Sequence, residues 1–355
     1  MRASLMDRIL KTGRRLGRPD ILFWTLPWLM FLIVVGTIVQ KDIGLYAAQQ
    51  TYFSSFIVWF YGFPFPAGYA TLGIMTLNLL CKFCFLSTWT REKIGNHLVH
   101  FSIILLMVGA LLTSLTMNEG YVALKEGQSA SVIRDYHDRA LFISKEDQVI
   151  AVPFDVLDRG ALDLPFEMKV TQTCENTAIR PRADLGNNNG VGAAAMAELV
   201  CIPTQVENEK NVAGVSYRVG GGEYIVFEGR ETSDVIDGYT VTLDRAERRL
   251  PFEISLQSFR RHVYPGTNKP REYESRVVVT DGAVVWPALI AMNEPFRYGG
   301  YTFYQASTFM DDGGDAVSVL SVVKNTGWLF PYISGILLAF GLILHVAIRM
   351  RWVTL

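Results

Sequence analysis

Long apolar runs lie near both ends of the chain, whereas its middle carries short apolar runs broken by Gly, Pro, Asn and Asp. Leu98 to Met117 contains no Asp, Glu, Lys or Arg. About 20 such residues, at about 1.5 Å rise each, cross a hydrocarbon core as a helix. Ile21 to Gln40 and Trp328 to Ile348 repeat the pattern, and Gly68 to Ser87 does so with Lys82 as its one interruption. The runs predict four membrane helices, over about 21–40, 68–87 and 98–117 and from 328 onward. Tyr52, Phe53, Phe56 and Phe60 recur at helical spacing against Gln49, Gln50, Ser54 and Ser55. That spacing predicts an interfacial helix over about 45–60.

Between the third and fourth runs, residues 118–327 read as β structure. Two extended runs flank Lys145 to Gln148, Gly220-Gly221-Gly222 divides Val215 to Phe227, and Asp281-Gly282 separates Tyr273 to Thr280 from Ala283 to Ile290. Asp-Gly between such runs is a strong hairpin signal. No stretch here sustains a helical period, so a sandwich or open barrel is expected. The fold class is therefore membrane α plus β, with a large β-rich domain between helices 3 and 4 and a short tail after the last helix, through 355. Leu164-Pro165-Phe166-Glu167 recurs as Leu250-Pro251-Phe252-Glu253, which hints at a duplicated β unit, and Gly186 to Ala197 reads as a mobile loop.

Charge gives the topology. Basic residues cluster before the first run (Arg8, Lys11, Arg14, Arg15, Arg18), between the second and third (Arg91, Lys93) and after the fourth (Arg349, Arg351). With four spans these positions share one side, which the positive-inside rule makes cytoplasmic, so both termini are expected inside and the β domain outside. The net charge of −1 over 355 residues argues against a nucleic-acid partner, which would want a basic patch.

The cysteines fall into two pairs. Cys174 and Cys201 belong to the outer, oxidising side and could close a disulfide. Cys81 and Cys84 form a Cys-x-x-Cys inside the second span, where two small packed residues are a better account than a thiol relay. The histidines are more informative. His100 lies in the first turn of the third span, His97 three residues back at its edge, and His345 four residues before Arg349 in the fourth. An imidazole at such depth is expensive unless it is neutral, paired or metal-bound. By helical rise His100 and His345 both sit about 5–6 Å from the cytoplasmic ends of their spans, and Lys82 is at similar depth with a stem that can reach headgroups or an anion. Two imidazoles and a cation at one level suit a haem b with axial nitrogen ligands, with packed histidines as the alternative.

Further motifs are Gly36-Thr37, Gly109-Ala110, Glu126-Gly127, Leu250-Pro251-Phe252, Tyr264-Pro265-Gly266, Tyr273-Glu274-Ser275, Asn293-Glu294-Pro295 and Tyr304-Gln305-Ala306-Ser307. With His100 and the order of spans, this series resembles the ResB/CcsB family of System II cytochrome c biogenesis proteins over nearly the whole chain. Asn325-Thr326-Gly327 stands where Asp-Pro-Gly is often found. The resemblance implies a multi-pass protein of the bacterial inner membrane with a periplasmic domain. It also implies a CcsA/ResC-like membrane partner, transfer of haem outward to apocytochrome c, and a thioredoxin-like thiol reductant nearby. It maps the inner haem ligand onto His100, with His97 as substitute; His345 would be an in-chain second ligand on depth alone. The chain has no tryptophan-rich haem motif and no marked general acid or base, so it is not expected to be a complete haem ligase by itself. Two other classes stay open: a docking subunit for apocytochrome c without its own haem, and a haem b electron carrier.

Overall fold

A computed structural model describes residues 2–146, 148–159, 164–182, 189–229, 232–311 and 313–350. The chain divides into two units, Met1–Met117 with Asn325–Leu355, and Asn118–Lys324.

The first unit is helical: α1 (Arg2–Leu16), α2 (Pro19–Ile43), the short α3 (Leu45–Ala48), α4 (Gly68–Cys81), α5 (Ile94–Thr116) and α6 (Phe330–Arg349). π-helical turns continue α3 over Gln49–Phe53 and α4 over Lys82–Leu86. Among the described residues four helices are long and apolar enough to cross a membrane, and fewer than one residue in five of each apolar window is buried. Helices whose apolar side chains face outward in this way need an apolar solvent, as a membrane protein's do.

Two elements of this unit depart from the sequence reading. The basic stretch before the first span is not a mere flank but the helix α1, ended at Gly17 and followed by Pro19 in the first turn of α2, where its missing N–H costs nothing. The helix expected through residue 60 stops at Phe53, and Ile57–Phe60 pairs with Phe63–Pro66 as an antiparallel hairpin. The cause is the turn: Tyr61 and Gly62 both adopt positive φ, 50° and 82°, the geometry of a tight hairpin. The aromatic spacing instead builds a cluster in which Trp28 stacks on Phe31 and Phe65, with Phe60 edge-on.

The second unit is β-rich. A ten-stranded antiparallel sheet runs in the order Val284–Ala291, Pro270–Asp281, Tyr239–Val263, Ser129–Lys145, Asn118–Lys125, Ala316–Lys324, Tyr301–Met310, Phe296–Tyr298. Gln148–Pro153 pairs beside Ser129–Lys145, and Ser233–Ile236 beside Tyr239–Val263. The hairpins expected around Lys145–Gln148, Gly220-Gly221 and Asp281-Gly282 are all present.

The two long strands serve two cores. One gathers Val122, Ile133, Phe252, Leu256, Val277, Ile290, Phe303 and Leu320. The other gathers Leu141, Ile143, Val215, Tyr217, Val226, Val241 and Leu243, and the three strands Lys169–Cys174, Gly214–Val219 and Gly222–Phe227 that form a separate sheet all contribute to it. Register shifts between Arg245/Glu247 and Arg249/Ile254 fall where one core gives way to the other.

The duplicated unit is not seen. Leu250–Glu253 lies within a strand, whereas 164–167 is irregular and lends Leu164 and Phe166 to the second core. Of the loop read as mobile, 186–188 lie outside the described residues. The remainder is held by a bridge from Gly190 to Glu223 and a 3-10 turn over Gly192–Ala195.

Candidate functional site

The site is built on α5, whose three faces have different neighbours. Gly95, Val99 and Gly109 form one face and meet α6: a side chain at Gly95 would collide with the His345 backbone, one at Gly341 with Val99, and one at Gly109 with Phe330. A second face carries His97 and Phe101, both against Phe83. His100 lies between Asn96 and Met107 on the third face.

His97 and His100 are in different chemical states although three residues apart. His97 is buried, its ring stacks on Trp89 at 4.4 Å between centroids, and its Nε2–H donates to the Thr88 carbonyl at 3.1 Å. It pins the loop before α5 to the helix, which gives this ring a packing role. His100 is half-buried. Its Nδ1 lies 2.8 Å from the Asn96 carbonyl oxygen; a carbonyl only accepts, so the proton is on Nδ1 and the Nε2 lone pair is left for an acceptor role. A backbone carbonyl on one imidazole nitrogen is the usual means of orienting the other toward a metal.

His345 is prepared differently. Its Nδ1 is buried and lacks a hydrogen-bond partner among the described residues, so using Nε2 as a ligand would leave Nδ1–H unsatisfied. Packing also removes the matched depth. Because His345 stands level with Gly95 and Gly341 with Val99, His100 lies five residues, about 7 Å, further along the helix pair. A seam that one methyl group would overfill has no room for a macrocycle between α5 and α6. The close seam thus gives no support to pairing His100 with His345 across it.

Lys82 is half-buried at the start of the π-helical turn, next to Phe83, and its ammonium has no ion-pair partner among the described residues. Cys81 is buried and Cys84 exposed, both as free thiols. In the β unit Cys174 and Cys201 are joined as a disulfide, 5.2 Å between Cα atoms. His137 lies 3.2 Å from the Asn208 amide and His262 3.6 Å from Glu274, so both have local partners. Among the described residues no three His, Cys, Asp or Glu side chains cluster as they would around a bare metal ion.

An apolar cavity of about 500 Å³ opens between α4 and α5, lined by Leu72, Thr76, Leu80, Met107, Leu111 and Ser114 among others. Met107, Leu111 and Ser114 follow His100 by 7, 11 and 14 residues, the spacing of one helix face. The sequence reading missed both this cavity and Asn96. The i−4 position of Asn96 relative to His100 was the only available signal, and it says nothing about the tautomer until the ring is placed.

The model of the ResB-like family matches residues 90–171 and 190–325, together more than half the chain. Protein NrfI of Wolinella succinogenes is 25% identical over 331 residues, 90% of this chain and 34% of that protein. The chain thus spans about a third of the length of the curated relative it matches. On the extent of the family match, the chain belongs to the ResB-like family.

Proposed function

We propose that the chain is a haem-handling subunit of a System II cytochrome c biogenesis complex. It accepts haem at His100 and moves it outward, with a CcsA/ResC-like membrane partner, to apocytochrome c. The observation that carries this reading is the His100 ring: an imidazole inside an apolar helix, with Nδ1–H bonded to Asn96 and Nε2 left as a lone-pair donor. Haem is cargo here, and it brings four nitrogen donors of its own, so one or two protein ligands suffice. The apolar cavity starts about two turns, roughly 10 Å, beyond His100 on the same helix face. That suits a flat apolar cargo leaving the ligand toward the outer side. The positive-inside distribution supports an inner position for His100 and an outer one for the β unit. The second axial ligand is assigned to the partner, since His345 is separated from His100 by the closed seam.

The test is haem content, read from absorption spectra of the full chain purified with and without a CcsA-like protein. His100→Ala should lose haem and cytochrome c maturation together, and added imidazole should restore part of both. His345→Ala should keep haem near the parental level. Normal haem content in His100→Ala would overturn the assignment and leave a docking subunit. Stable haem in the chain without its partner would favour an electron carrier.

A further inference from the structure

We propose that α1 is a binding surface for anionic phospholipid headgroups, docked on the end of α4. Nothing in this inference depends on the haem reading. Projected at 3.6 residues per turn, Met6, Ile9, Leu10, Gly13, Leu16 and Gly17 fall within one arc of about 120°. Arg8, Lys11, Arg14 and Arg15 occupy the opposite arc, where Asp7 is the one acid. All four cations are exposed.

The apolar arc is only half used by the protein. Gly13 lies against the Phe85 ring and Gly17 against the backbone of Cys81 and Lys82. The buried Asn78 amide donates to the Leu16 and Arg18 carbonyls at 2.5 and 2.8 Å, closing the C-terminal end of α1 that the helix itself leaves open. Beyond that anchor Met6, Ile9 and Leu10 remain exposed, at 60%, 48% and 37%. In water they would form a bare apolar stripe.

Two observations choose the occupant. The anchor lies where the apolar span α4 ends, so the stripe continues the lipid-facing surface of the spans at the level where headgroups begin. The flanking cations then meet phosphates, toward which long basic stems extend from a helix lying in the interface. Charge complementarity selects anionic over zwitterionic lipid, because each Lys or Arg near such a surface adds a favourable term that falls off within a Debye length.

The experiment is amide hydrogen exchange over residues 6–16 of the full chain in nanodiscs of phosphatidylcholine, with or without phosphatidylglycerol. Phosphatidylglycerol should slow exchange on the order of tenfold or more. High salt should reverse the slowing, as should the combined Arg8→Gln, Arg14→Gln and Arg15→Gln variant, while exchange in α5 stays unchanged as a folding control. Asp7→Asn, which removes the one opposing charge without touching the anchor, should slow exchange further. Equal exchange in both lipids would overturn the proposal. So would protection that appears only when a partner protein is added, which would make α1 a protein-docking helix.

Discussion

The two units of this chain are held together by opposite means. The β unit buries Leu, Ile, Val and Phe in two cores and keeps most of its charges outside or paired, as a fold in water must. The helical unit exposes residues such as Phe23, Trp24 and Ile336 and buries Gly36, Gly95, Gly109, Asn78 and Ser102. Where the solvent is itself apolar, burying a leucine gains little, and close backbone approach with a few interhelical polar contacts sets the packing. A list of buried large side chains therefore locates the core of one unit and misses the joints of the other. In the first unit the informative residues are the small ones, and they are also the residues that place His100.

The largest effect should come from a cluster of paired charges that the β unit takes inside. Glu228, its side chain 13% exposed, lies between two buried arginines, 2.6 Å from Arg139 Nε and in direct contact with Arg245. Arg139 also donates to the Asn211 carbonyl, and Arg245 to those of Tyr136 and Glu209. The carboxylate thus holds together a centre through which the loop after Gln205 is tied to two strands. Glu228→Leu should cost about 3–5 kcal/mol, the usual result of leaving buried guanidinium groups without a counter-charge. Denaturant titration of the full chain in detergent, followed by loss of sheet signal, would measure it. Asp155→Ala, which breaks an exposed pair with Arg159, should change little by comparison. If both variants lose the same amount, burial does not distinguish the two pairs.

In the helical unit the corresponding break is a gain of volume. Gly95→Leu would force the α5 and α6 backbones apart at His345, whereas Gly335→Leu, on the same α6, meets nothing within 4 Å. Overpacking of a tight seam costs about 1–3 kcal/mol, so the first variant should lower the thermal midpoint in detergent and the second should not. Haem content sharpens the comparison. Gly95 is next to Asn96 and five residues before His100, so Gly95→Leu should also reduce haem in the complex while the β unit remains folded by exchange protection. Equal effects of the two leucines would mean that the seam is not a close contact.

How much of this was legible in the sequence follows from the same contrast. The apolar runs and the Asp281-Gly282 hairpin could be read because each depends on local pattern alone. The amphipathic period of α1 was equally present in Met6, Ile9, Leu10, Gly13 and Leu16, but its cations drew it into the reading of a flank. The hairpin at Ile57–Pro66 was hidden by aromatic residues that happen to sit at helical spacing, although Tyr61-Gly62 and two prolines marked it. His97 and His100 could not be separated, since i and i+3 share most of a face. Only placing Trp89 over one ring and the Asn96 carbonyl beneath the other divides a packing residue from a ligand candidate. The depth of His345 was counted from its own span's end, and the glycine register that shifts the two helices is a tertiary fact.

The smallest effect tests electrostatics inside the β unit's second core. Asp234 is 6% exposed and accepts a hydrogen bond from Tyr217 Oη at 2.8 Å, with no ion-pair partner among the described residues. Burial pushes its carboxyl above the ordinary aspartate range, with the Tyr217 hydrogen bond opposing in part. The folded state therefore holds a proton that the unfolded chain releases near pH 3.9. Stability contributed by the protonated form is complete below that pH and declines as pH rises toward the raised folded value. Above it, the fold carries a charged carboxylate in a dry site or goes without the proton it prefers. Asp234→Asn keeps an acceptor for the tyrosine and removes the charge. It should be neutral near pH 4 and stabilising by on the order of 1 kcal/mol at neutral pH, the scale of desolvating a buried polar group. Exchange protection of the Gly214–Val219 strand, measured at several pH values, reads this directly. A difference between variant and parent that does not change with pH would show that the Asp234 charge is not what the core resists.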